Sequence, residues 1–167
     1  PETGRPTYDP KHKPTTGSTT SFCPSLWGGK DWPPAAYNPE SGLLYIPAND
    51  NHCGVIEGRE VTYMPGSAYM GARTQMTVPK GADHIGEIQA WDMNAGKEVW
   101  TREFDSHNWG GILTTSGNLI FSGGTSARMF RAHNASTGEL LWEFKTNSGI
   151  IGVPSTFSVD GKQYVAV

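Results

Sequence analysis

Two cysteines, Cys23 and Cys53, stand 30 positions apart and are the only thiols in the 167 residues. An isolated even pair with no CxxC or histidine spacing for zinc fits one disulfide or two inert buried thiols. A disulfide would imply an oxidising compartment. Five histidines (His12, His52, His84, His107, His133) are scattered, none at a ligand spacing to another, so no complete metal site is read. Aromatic chemistry is better represented. In "NWGG" (108–111), Trp109 precedes Gly110 and Gly111, a turn that permits close backbone approach. In "GGKDW" (28–32), a charged pair, Lys30 and Asp31, leads into Trp32 and two prolines. Each of these has a plainer alternative: Trp109 as one more core tryptophan, and Lys30 with Asp31 as a surface turn whose charges pair with each other.

The elements that would position these residues are strands. Twenty-one glycines and twelve prolines, with no long stretch of helix formers, favour short strands joined by turns, hence an all-β fold. Sixteen acids against thirteen bases give a formal charge of −3 with no basic run, which argues against a nucleic-acid partner. No apolar run approaches the roughly 18 residues that would span a bilayer as a helix. The opening "PETGRPTYDPKHKPTTGS" does not read as a signal peptide. It resembles a turn lacking its preceding strand, and the β-rich "GKQYVAV" stops without a polar tail, so the expectation is a segment of a longer chain.

One phrase occurs twice: "AWDMNAGKEVW" (90–100) and "AHNASTGELLW" (132–142). Between them lies another, a turn glycine followed by an aromatic-rich strand, in "NPESGLLYIPA" (Gly42), "TTSGNLIFSGG" (Gly117) and "SVDGKQYVAV" (Gly161). Gly96 to Gly117 is 21 residues, Gly117 to Gly138 another 21, and Gly138 to Gly161 is 23. A pair of hairpins every 42 residues or so is the signature of a β-propeller blade. Trp100 and Trp142 are then expected to fill the space between blades, with the indole N–H bonded to a neighbouring carbonyl. Gly96 and Gly138 would supply the positive φ of tight turns, and Asp92 and Asn134 would bond back to the turn amides. Gly42 to Gly96 is 54 residues, about 33 too many, which predicts a long inserted loop over about 50–83 covering a face or a partner site. The chain, 1–167, is thus expected to hold two to three four-stranded blades of a single propeller domain. A closed ring typically needs at least four. Its open edges would be met by the remaining blades or by self-association.

The runs "CPSLWGGKDWPPAAYNPESGLLYIPAN", "FDSHNWGGILTTSGNLIFSGG" and "NSGIIGVPSTFSVDGKQYVAV", with the "TGxxxW" phrase at 137–142 and its variant "AGKEVW" at 95–100, resemble the C-terminal part of pyrroloquinoline quinone (PQQ) dependent alcohol dehydrogenases, the periplasmic methanol and ethanol dehydrogenase group. The likeness extends from about residue 5 to the end. It implies a partial β-propeller cut from an eight-bladed quinoprotein propeller, with PQQ on the pseudo-symmetry axis over Ca²⁺ or a lanthanide whose ligands lie outside this segment. It further implies oxidation of small primary alcohols, electron transfer to a c-type cytochrome and a periplasmic location. By the same resemblance Asp31 occupies a position that contacts the quinone and is usually Asn, with Trp32 beside it, Trp109 lies against the cofactor, and Cys23 and Cys53 form the family's disulfide. The family's metal ligands, its base and the residues capping and flooring the cofactor belong to other blades, so no catalytic group is expected in this segment, and the chain alone is expected to be inactive. The competing reading is a non-enzymatic propeller scaffold that binds proteins through the same tryptophan-docking repeat. "GGKDW", "NWGG" and the cysteine pair favour the enzyme, because a scaffold has no need of them.

Overall fold

The structure is a computed structural model and describes residues 2–167. In chain order the strands are β1 (Thr19–Phe22), β2 (Ala36–Asn38), β3 (Leu43–Asn49), β4 (Cys53–Gly58), β5 (Ala72–Thr77), β6 (Gly86–Asp92) and β7 (Lys97–Phe104). They continue as β8 (Leu113–Thr115), β9 (Leu119–Ser122), β10 (Met129–Asn134), β11 (Leu140–Lys145), β12 (Ser155–Val159) and β13 (Lys162–Ala166). The one helical element among the described residues is a 3-10 turn at Pro10–His12. Two compact units result. One comprises the residues up to Gly28 together with His52–Lys80, the other Gly29–Asn51 together with Gly81–Val167.

In the larger unit β2-β3-β6-β7 and β8-β9-β10-β11 each make a four-stranded antiparallel meander, and β12-β13 is a hairpin of the same kind that opens each meander. These are two propeller blades and the start of a third. Strand β3 alternates buried Leu43 and Tyr45 with partly exposed Leu44 and Ile46, the period-two pattern of a strand facing a core. Leu43, Tyr45, Ile88, Ala90, Ile112, Ile120 and Ala135 form that core. Each large apolar side chain so buried is worth about 1.5–3 kcal/mol.

The repeated phrase works as a docking device. The Trp100 indole N–H donates to the Ala135 carbonyl at 3.0 Å, in the turn of the following blade. Its ring lies against Gly138, where a Cβ would come within 2.7 Å of the indole and where φ is +72°. Asp92 Oδ1 accepts from the Asn94 and Ala95 amides at 2.8 and 2.9 Å, and Asn134 Oδ1 from Ser136 and Thr137 at 2.9 and 3.2 Å. Arg131 adds a cation–π contact, its guanidinium carbon 5.4 Å from the Phe104 ring centre.

One expectation needs correction. Trp142 is not enclosed like Trp100; its ring is 50% exposed on β11, stacked on Phe144 at 6.2 Å. The turn that receives Trp100 belongs to β10 and β11, and β12-β13 is a hairpin of the other kind, which offers no such receiver. In the β8-β9 turn the positive φ falls on Asn118 (58°), not on Gly117. Asn tolerates that conformation and here also donates to Asn134 Oδ1 at 3.2 Å.

In the smaller unit β1, β4 and β5 form a three-stranded sheet, and Cys23 and Cys53 are joined in a disulfide. Residues 50–83 therefore hold two strands, β4 and β5, of which only the connection between them is extended loop. That connection exposes Tyr63, Met64, Tyr69 and Met70, with Tyr63 and Tyr69 edge to face at 6.0 Å.

Candidate functional site

The segment Gly29–Trp32 leads into β2, and residues 105–112 link β7 to β8; both lie in the larger unit. They bring Trp32 and Trp109 together, with ring centres 6.1 Å apart and planes within 20°. His107 stands edge-on to Trp109 at 5.9 Å. Trp32 is 55% exposed, while Trp109 is half-buried. The pair is thus an offset aromatic stack with its Trp32 end accessible, to which a planar conjugated ligand can add by stacking.

The loop around Lys30 is held from within. The Lys30 ammonium donates to the carbonyls of Asp31 and Pro33 at 2.6 and 2.7 Å instead of pairing with the Asp31 carboxylate. Asp31 Oδ1 accepts from the Trp32 amide at 2.8 Å, which leaves the exposed carboxylate beside the indole. Pro33 is fully buried, and the following Pro34 carbonyl accepts from the Ile112 amide at 3.1 Å. The two loops are therefore tied directly to each other.

Glycines explain the approach on the Trp109 side. The Trp109 amide donates to the Gly124 carbonyl at 3.0 Å. A Cβ on Gly110 would stand 2.6 Å from the Gly124 nitrogen, and one on Gly124 would strike Gly110 itself, so two backbones cross where no side chain fits. A Cβ on Gly111 would meet the Pro34 ring at 3.0 Å.

Two asparagines that the sequence reading did not single out complete the framework. Asn49 and Asn108 are 6% and 1% exposed. The Asn49 amide donates to the Gly29 carbonyl at 2.7 Å, and its Oδ1 accepts from the Asn108 amide at 2.8 Å. Asn108 Nδ2 donates to the Glu87 carbonyl at 2.9 Å, and its Oδ1 accepts from the Gly110 amide at 3.3 Å. Buried polar groups are tolerable because they are hydrogen-bonded in this way. Adjacency to "WGG" was the one available signal for Asn108; Asn49 at the end of a strand gave none.

A second polar cluster lies on β6 and the residues before it. His84 Nδ1 is 2.7 Å from Asp83 Oδ1 and Nε2 is 2.8 Å from Glu87 Oε1. Asp50, His84 and Glu87 offer oxygen and nitrogen atoms that all lie within 4.8 Å of one another. A search for histidine-to-histidine spacing misses such a group, because two of its three members are carboxylates. Burial disfavours the imidazolium, yet the hydrogen bonds to Asp83 and Glu87 and the charge of Glu103 outweigh it and raise the His84 pKa.

Comparison with known proteins agrees with the architecture. Residues 101–165 match the family described as "PQQ: Glucose/ethanol/alcohol dehydrogenase, beta-propeller domain". The quinoprotein alcohol dehydrogenase PedH of Pseudomonas putida is 41% identical over 170 residues, covering 98% of this chain and 28% of that protein. A lanthanide-dependent methanol dehydrogenase of Methylacidiphilum fumariolicum is 42% identical over 170 residues, covering 99% of this chain and 28% of that protein. A solved europium-containing methanol dehydrogenase superposes with a TM-score of 0.89 at 40% identity, covering 98% of this chain and 29% of that one. The fold is that of a portion of a quinoprotein β-propeller. Over nearly its whole length the chain is similar to PQQ-dependent alcohol dehydrogenases, and it spans somewhat over a quarter of the length of the curated relatives it matches.

Proposed function

We propose that this chain is the C-terminal segment of a periplasmic quinoprotein alcohol dehydrogenase, in which it supplies two blades, the start of a third and one aromatic wall of the PQQ cleft. The observation that carries this is the stacked, accessible Trp32–Trp109 pair, set in a chain of which 98% aligns at 41% identity with a quinoprotein alcohol dehydrogenase. A tricyclic quinone fits an indole surface of this kind. Trp109 and Trp32 would hold its plane, and the Asp31 carboxylate would accept from a protonated group of cofactor or substrate at the edge.

Bound PQQ, with Ca²⁺ or a lanthanide held by residues outside this segment, would supply the two-electron acceptor for oxidation of a small primary alcohol to its aldehyde. In this reading the residues of this segment position and enclose the cofactor, while the base and the metal ligands lie in other blades. Base and metal each typically lower the barrier by several kcal/mol. The isolated chain is accordingly inactive, and electrons from the complete enzyme pass to a c-type cytochrome.

The exposed face of Leu141, Trp142 and Phe144 on β11 and of Phe157 on β12 supports further blades as the neighbours of this segment. Apolar area of this kind, on strands with the repeat of Trp100, matches what a following blade would cover. The disulfide fits an oxidising compartment. The test is a dye-linked assay of the complete enzyme with ethanol and methanol, reconstituted with PQQ and either Ca²⁺ or a lanthanide, beside the isolated chain. Turnover by the complete enzyme alone is expected. Absence of turnover with any alcohol would remove the reading.

A further inference from the structure

Asn49 stands where the two loops of the aromatic site converge, and it holds both. Its backbone amide fixes Gly29, three residues before Trp32, at 2.7 Å, and its side-chain oxygen fixes the amide of Asn108, the residue before Trp109, at 2.8 Å. Asn49 itself cannot drift, because it closes β3, paired to Gly86 of β6. Asn108 in turn is anchored to β6 through the Glu87 carbonyl at 2.9 Å. One residue thus measures the distance between the backbones that carry the two indoles.

We infer that Asn49 is a positioning residue for the quinone, setting the separation and tilt of Trp32 and Trp109 without touching the cofactor. This deepens the reading of the site as a PQQ cleft and rests on it. The two links differ chemically. The bond to Gly29 uses the main chain and survives any replacement except proline. The bond to Asn108 needs an acceptor oxygen at the reach of an Asn or Asp side chain. Asn49→Ala therefore frees the Trp109 side alone and leaves the buried Asn108 amide unpaired, while Asn49→Asp keeps the acceptor. Ligand affinity is sensitive to such a change because a wall that must be ordered on binding consumes part of the binding free energy.

The experiment uses the complete enzyme, titrated with PQQ in the presence of its metal. Quenching of tryptophan fluorescence gives Kd, and visible circular dichroism of the bound quinone reports the geometry of its walls. Asn49→Ala is expected to weaken PQQ at least tenfold and to alter the dichroism. Asn49→Asp is expected to stay within about threefold of the native protein with the native spectrum. If Asn49→Ala fails to fold, Asn49→Ser replaces it, since its oxygen falls one bond short of Asn108, with the same loss expected. Native Kd and spectrum in a folded Ala or Ser variant overturn the inference and leave the cofactor reading standing. Equal losses in the Ala and Asp variants also overturn it, because the acceptor oxygen would then not matter. A native enzyme that binds no PQQ removes the cofactor reading and this inference with it.

Discussion

Trp32 and Trp109 are 77 residues apart in sequence, yet their rings lie 6.1 Å apart and within 20° of parallel. Beneath the contact the Ile112 amide donates to the Pro34 carbonyl and the Asn108 amide to Asn49 Oδ1, which ties together the two loops that carry the indoles. If the pair forms a wall of the PQQ cleft, its loss is felt in cofactor binding. Trp109→Ala in the complete enzyme should weaken PQQ by well over the ~1 kcal/mol of an ordinary stacking contact, roughly fivefold or more in Kd. Cofactor occupancy measured after gel filtration checks this, and unchanged occupancy would make Trp109 a structural residue.

Gly138→Ala tests the docking of blades. The new methyl would meet the Trp100 ring at 2.7 Å at a residue whose φ is +72°. Both the clash and the backbone conformation oppose it, so a loss on the order of 2–3 kcal/mol is expected. Trp100→Phe, which deletes the N–H bonded to Ala135 but keeps most of the ring, should cost about 1 kcal/mol. Urea unfolding of each variant measures both. A Gly138→Ala protein as stable as the native one would mean that Trp100 is not held against this turn.

The repeat made the blades legible. A 21-residue spacing of turn glycines marks hairpins however the strands pair, and the paired GxxxW phrases marked which strand carries the docking indole. Asp92 and Asn134 were legible for a related reason, because their hydrogen bonds are local. What the sequence concealed was non-local. Asn49 matters through partners at Gly29 and Asn108, and nothing in the strand "LLYIPAN" distinguishes its last residue from any polar strand end. The Asp50–His84–Glu87 group was hidden because its members come from two strands' ends. Residues 50–83 read as loop because Gly and Pro break the stretch, although the strand pairing of Cys53–Gly58 with Ala72–Thr77 needs only two short runs inside it.

The disulfide gives a stability prediction of its own. It closes 30 residues of sequence in a unit whose sheet, among the described residues, has three strands. Chain-entropy considerations put such a link at about 3–4 kcal/mol. Reduction, or a Cys23→Ser/Cys53→Ser double variant, should lower the urea midpoint and speed proteolysis between residues 59 and 71. An unchanged midpoint under dithiothreitol would show that the sheet stands without it.

His133 and His84 predict opposite responses to pH. His133 is 2% exposed; burial, reinforced by the charges of Arg102 and Arg131, depresses its pKa to about 4. The unfolded chain, with an imidazole near 6.5, binds the proton more readily, so stability falls as pH drops through the interval from about 6.5 to about 4. The full effect is on the order of 3 kcal/mol. His84, with its pKa raised by Asp83 and Glu87 against the cost of burial, contributes stability that is complete below about pH 6.5 and is lost as pH rises through its own higher value. Stability curves from pH 4 to 9 for the native protein, His133→Gln and His84→Gln separate the two. His133→Gln should flatten the acid limb, and His84→Gln should flatten the decline that sets in above about pH 6.5. An acid limb that keeps its steepness in His133→Gln would assign acid sensitivity to carboxylates instead.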